Sequence, residues 1–171
     1  YLEGHFSTDY GKMGIGVLRY LSNTIVAVID SKNNGKNTNE FNSIERSVPI
    51  VENLDAAILN GAEVLILGIA PSGGKIPEAW FKVIESAISK NLSIINGLHD
   101  TLLSKYKNSL QNDQWIWDVR VPQFIPQIAS GKAAKLNNKR ILCVGTDMAV
   151  GKMTTSLEMY KWAIEKKINS S

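Results

Sequence analysis

"RILCVGTDMAVGKMTT" (residues 140–155) runs from an apolar stretch through a glycine-bounded loop to a Gly-Lys pair. Behind it Leu157, Tyr160, Ala163 and Ile164 recur at helical spacing. In a strand, loop and helix of this order, the backbone amides of the loop and of the first helical turn face an anion. The helix dipole and the Lys152 charge add to them. The candidate ligand contacts are Gly145, Thr146, Asp147, Gly151, Lys152, Met153 and Thr154. The spacing departs from the common phosphate loop, which has four residues between its glycines and Ser or Thr after the lysine. Here five residues separate Gly145 from Gly151, and Met153 stands where a hydroxyl would ligate magnesium. A thioether is a soft ligand that suits Mg²⁺ poorly, and Thr154 lies about 100° further round the helix. The stretch reads as a phosphate cradle without a firm magnesium ligand, with a plain strand-to-helix turn as the structural alternative.

Towards the N-terminus the same alternation continues. Apolar runs of strand length occupy residues 24–30, 48–51, 64–70, 92–98 and 115–121, and helix patterns occupy 12–21, 53–60 and 77–91. Several runs are continuous rather than alternating, as in strands buried on both faces. Strand and helix in repetition predict a parallel α/β sheet with right-handed crossovers. "YLEG" at residues 1–4 reads as the end of a strand. Residues 30–42 form an Asn-rich polar loop, and Pro122, Pro126 and Gly131 break the chain before the phosphate loop. The expected division is therefore 1–121 as one domain, 122–138 as a linker, and 139–171 as the first strand, loop and helix of a second domain whose remaining sheet is absent.

Ligands of open parallel sheets bind beyond the carboxyl ends of the strands, near the point where strand order reverses. The segments expected at that edge are 4–16, Asp30, 70–75 and 96–100. Gly11, Gly14 and Gly16 are spaced G-x-x-G-x-G, not as the dinucleotide fingerprint, which argues against NAD. Asp30 ends its run where a ribose-binding acid would stand, though a turn explains it equally. In "PSGGK", Gly73 and Gly74 free backbone amides to face an anion and Lys75 adds a charge; a glycine-rich turn before a helix is the alternative. Both histidines, His5 and His99, fall just after strands. His99 is the better placed for proton transfer, against a satisfied structural histidine. Asp100 beside it could cap a helix starting at Thr101.

Composition narrows the classes. The 171 residues are 44% hydrophobic and 20% charged, with net charge +3 and scattered Lys and Arg. That is a globular balance with neither a nucleic-acid nor a membrane surface. Cys143 stands alone in an apolar run, which fits a reducing compartment, and with no leader-like opening the cytoplasm is expected.

The blocks "GHF…GVLRY", "VAVIDS", "GIAPSGGKIPEAW", "NGLHD", "IWDVR" and "GTDMAVGKMTTSLEM" together closely resemble the D-glutamate N-acetyltransferase-like family, long catalogued as a domain of unknown function. The loop itself is similar to the variant loop of dethiobiotin synthetases. The family resemblance implies a Rossmann-like α/β domain followed by the start of a P-loop α/β domain. It also implies acetyl transfer from acetyl-CoA to the amino group of a small acidic D-amino acid. Coenzyme A phosphates must be held but not cleaved, which suits a cradle without magnesium. On physical grounds His99 and Lys75 are the expected catalytic groups, and Lys12, Gly73, Gly74 and Arg120 the expected substrate contacts. A homo-oligomer is expected. Two alternatives stay open: an ATP- or GTP-dependent ligase or kinase using magnesium, and a nucleotide-binding module without chemistry.

Overall fold

The computed structural model describes all residues except 42, 43, 112, 126, 129, 148 and 149. Asn42 of the polar loop, Pro126 of the expected linker, and Met148 and Ala149 of the glycine-bounded loop thus lie outside the described residues. The chain divides into two compact units, Tyr1–Gln123 and Phe124–Ser171.

In the first unit, β1 (Val28–Ile29) pairs in parallel with β2 (Ile50–Val51), and β3 (Val64–Leu67), β4 (Ser93–Asn96) and β5 (Ile116–Asp118) form a second parallel set with β4 in the middle. The N-terminal segment joins the two sets. Tyr1 N donates to Ile66 O at 2.7 Å and Gly68 N to Tyr1 O at 3.0 Å, the bonding pattern of a parallel bridge centred on Leu67. On the other side, Leu2 N donates to Ile29 O at 3.0 Å. The resulting order, β2-β1-segment-β3-β4-β5, is that of a Rossmann sheet, and it reverses between the segment and β3.

The strands are shorter than the apolar runs, for reasons visible in their bonds. β1 faces a two-residue partner entered through Pro49, which has only a carbonyl to offer and accepts Val28 N at 2.9 Å. Beyond β3, Gly68 N still bonds to Tyr1 O, but Ala70 N leaves the sheet and bonds to Tyr10 O of the first loop. Ile69 there is still fully buried. The helices are α1 (Lys12–Tyr20), α2 (Leu54–Leu59), α3 (Phe81–Ser89) and α4 (Leu102–Tyr106). α2 starts where Asn53 Oδ1 accepts Ala56 N at 3.0 Å, an N-cap. α3 buries Ile84, Ala87 and Ile88 on the face that meets β4. Burying one such aliphatic side chain contributes about 1.5 to 3 kcal/mol, so Ile84, Leu67 and Ile94, all fully buried, anchor the layer.

Close approach of α1 to the sheet depends on glycine. A Cβ at Gly14 would stand 2.7 Å from Leu2 Cδ1, and Gly14 N donates to Gly68 O at 2.7 Å. Of the three glycines that fail as a dinucleotide fingerprint, Gly14 therefore still serves helix-to-sheet packing, whereas Gly16 has open space around it.

In the second unit a 3-10 turn, Lys132–Lys135, precedes α5 (Lys152–Glu165). The strand expected at 140–145 does not form. Ile141, Leu142 and Val144 are 76%, 83% and 78% exposed, and among the described residues the unit has no other strand to satisfy their backbone groups. Arg140 instead reaches back to the carbonyls of Ala133 and Leu136. No described helix is long and apolar enough to cross a membrane.

Candidate functional site

At the reversal point the first loop, residues 4–11, is organised by one buried carboxylate. Asp30 is fully buried and accepts Gly4 N at 3.1 Å, Phe6 N at 3.3 Å, Lys32 N at 3.2 Å and Asn33 Nδ2 at 2.9 Å. Both carboxylate oxygens are spent inside the protein, so the ribose-binding position weighed for Asp30 is a structural one. Gly11 closes the loop tightly, since a Cβ there would lie 2.3 Å from His5 O. Within it, His5 Nδ1 lies 3.3 Å from Thr8 Oγ1 and the His5 and Tyr10 rings are 5.6 Å apart.

The loops after β3, β4 and β5 converge on the same edge. Ala70 N donates to Tyr10 O at 2.8 Å, and Tyr10 Oη lies 3.4 Å from Ser72 Oγ. His99 N donates to Gly74 O at 2.7 Å. Gly74 has φ +65°, and its imagined Cβ would stand 2.0 Å from His99 Cδ2, so the imidazole lies across a backbone that only glycine can supply. Gly73, at φ +78°, has open space around it. Arg120 Nε donates to Gly97 O at 2.8 Å, which orients the guanidinium beside the His99 loop and leaves its terminal nitrogens for other acceptors. From the opposite side, Met13 of α1 packs against Gly97. Lys12 pairs with Asp9 at 3.2 Å, both well exposed. His99, Lys75 and Arg120 are themselves exposed on this rim.

Two buried polar side chains that sequence reasoning passed over, Asn96 and Asp118, fix these loops together with the half-buried Asp100. Asn96, fully buried, donates through Nδ2 to Asp100 O at 2.6 Å and to Asp118 Oδ1 at 2.8 Å, and accepts Leu98 N at 3.0 Å. Asp118 in turn accepts Leu102 N at 3.0 Å and Leu103 N at 2.9 Å. The cap of α4 is thus Asp118, from a strand that follows the helix in sequence, and not Asp100. Asp100 Oδ2 accepts Ile76 N at 2.6 Å. The signal was available: Asn96 interrupts the apolar run "LSIINGL", and a polar residue inside a buried strand needs partners.

The second unit presents the glycine-bounded loop. Gly151, at φ +93°, turns the chain into α5, and Lys152 folds back so that Nζ donates to the Asp147 carbonyl. Its stem crosses Gly145, where a Cβ would meet Lys152 Cγ and Cδ at 3.2 Å. Gly145, Thr146, Asp147, Met153 and Thr154 are exposed. An exposed loop, a helix N-terminus and an ammonium folded onto a carbonyl can exchange that carbonyl for a phosphate oxygen.

Residues 31–122 match a family model described as "Domain of unknown function (DUF1611_N) Rossmann-like domain", and residues 127–171 match its companion, "Domain of unknown function (DUF1611_C) P-loop domain". Two relatives carry the name D-glutamate N-acetyltransferase. One from Pseudoalteromonas is 38% identical over 112 residues, which is 64% of this chain and 33% of the relative. One from Tritonibacter scottomollicae is 38% identical over 109 residues, 62% of this chain and 32% of the relative. The chain thus spans about a third of the length of the relatives it matches. A crystal structure of a DUF1611 family protein from Anabaena variabilis superposes with a TM-score of 0.88 at 41% identity, covering 96% of this chain and 49% of that one.

Proposed function

We propose, from the premise that this chain belongs to the DUF1611 family, that the protein is an acyltransferase moving the acetyl group of acetyl-CoA to the amino group of D-glutamate or a similar small acidic amino acid. The names of the two relatives support the reaction class. The observation that carries the residue roles is the seating of His99 on Gly74, immediately before Lys75, at the reversal point of the sheet.

In this reading His99 takes a proton from the substrate ammonium. The freed amine attacks the thioester carbonyl, a C–N bond forms, the C–S bond breaks, and the coenzyme A thiolate leaves to be protonated. One proton is released overall. Lys75 stabilises the negative charge that develops on the carbonyl oxygen. Arg120, tethered through Nε, and Lys12 hold the substrate carboxylates, with the open backbone at Gly73 beside them. Separately, the loop from Gly145 to Thr154, with Lys152 as its cation, holds a phosphate of the coenzyme.

The test is acetylation of D-glutamate by the full-length protein and its His99→Gln variant. The expected result is a fall in kcat of about a hundredfold with acetyl-CoA binding intact by thermal shift. Full activity in the variant would remove His99 from the chemistry. Thermal shift with acetyl-CoA, CoA, ATP with and without Mg²⁺, and GTP distinguishes the remaining readings, because a ligand of the native state raises its stability. Magnesium-dependent stabilisation by ATP alone would make the protein a ligase or kinase instead.

A further inference from the structure

The loops after β3 and β4 are fastened to each other on both sides of Lys75. On one side His99 N donates to Gly74 O at 2.7 Å; on the other, Ile76 N donates to Asp100 Oδ2 at 2.6 Å. Residue 75 is therefore the single free position between two fastened neighbours, and the fasteners are consecutive residues, 99 and 100. Only the second fastener is a side chain. Asp100 is itself held from behind, where its carbonyl accepts Asn96 Nδ2 at 2.6 Å, and Asn96 is fully buried and anchored to Asp118.

We infer that Asp100 is a positioning residue: by holding Ile76 N–H it sets the Lys75 loop against the His99 loop, so that the two side chains form one preset pair. This rests on the reading of His99 and Lys75 as reacting groups. The role needs an acceptor oxygen, not a charge. An asparagine at this position supplies the same acceptor, whereas an alanine supplies none.

The experiment compares Asp100→Asn and Asp100→Ala in the full-length protein, with acetyl-CoA and D-glutamate as substrates and ¹³C-histidine labelling to follow the His99 imidazole. Expected for Asp100→Ala are a displaced His99 signal and a fall in kcat of roughly tenfold or more, with KM for acetyl-CoA changed by less than about threefold. Asp100→Asn is expected to restore both. An asparagine variant as defective as the alanine variant would overturn the inference, because the charge would then be used directly. So would an alanine variant with neither the signal nor kcat altered. A displaced signal with unaltered acetylation supports the positioning role and removes His99 and Lys75 from the reaction, so the two readings fail separately. If Asp100→Ala does not fold, amide hydrogen exchange of the Ile76 N–H in the unaltered protein decides: strong protection supports the clasp, and exchange as fast as that of the neighbouring exposed loop amides overturns the inference.

Discussion

The two glycine-bearing regions of this chain are held in opposite ways. Around the sheet edge of the first unit, loop amides end on buried carboxylates and a buried amide: Asp30 collects four donors, and Asn96 and Asp118 form one connected network. In the second unit, the bond that closes the glycine-bounded loop runs between two solvent-exposed groups, Lys152 Nζ and the Asp147 carbonyl. Desolvated polar networks hold geometry whether or not a ligand is present, because each unmade bond there carries its full desolvation cost. Exposed ones yield to whatever binds better. On the proposed reading, the first edge presets its reacting groups and the second is completed by an anion on arrival.

Substitutions can break that contrast, and the largest effect is expected at Asp30. Asp30→Ala strands four donors behind the first loop and should lower the unfolding free energy of the chain by about 3 kcal/mol in urea titration. A loss below about 1 kcal/mol would mean that water replaces the carboxylate freely and the edge is not preset. Next comes Lys152→Ala. Here affinity for coenzyme A should fall ten- to a hundredfold, about 1.5 to 3 kcal/mol by calorimetry, while stability stays within about 0.5 kcal/mol. Equal loss of stability and affinity would erase the distinction between the regions. The smallest effect is expected at the exposed Lys12–Asp9 pair, where Lys12→Ala should change stability by less than about 0.5 kcal/mol. A larger change would show that the rim, too, is structurally fastened.

Much of this architecture was legible from residue order. Alternating apolar runs and helical spacing gave a parallel α/β sheet, because buried parallel strands must be continuously apolar. The carboxyl edge followed from direction alone, and it brought the segments around Tyr10, Gly74 and His99 together. Strand ends were less legible, since Ala70 is apolar enough to continue a strand yet bonds to Tyr10 of the first loop. The run at 140–145 has the apolar pattern of a strand and lies in the P-loop family match, but only a neighbour with matching backbone groups makes a strand, and the described residues of this unit supply none. The network of Asn96, Asp100 and Asp118 escaped because its members lie up to 22 residues apart and meet only once β4 and β5 align. Local spacing could suggest Asp100 as a helix cap. It could not reveal that Asp118, across the sheet, takes that task.

The segment Tyr1–Leu2, wedged between β1 and β3, also has an entropic meaning. Its bond to Ile66 closes a span of 65 residues, whereas Val28 and Ile50 of the neighbouring strands are 22 apart. Because closure entropy grows only logarithmically with loop length, the longer span costs about 1 kcal/mol more than the shorter. At that small cost residues 1 and 2 stand at the middle of the sheet. The strand order reverses beside them, and there Tyr10 Oη of the first loop meets Ser72 Oγ of the loop after β3 at 3.4 Å.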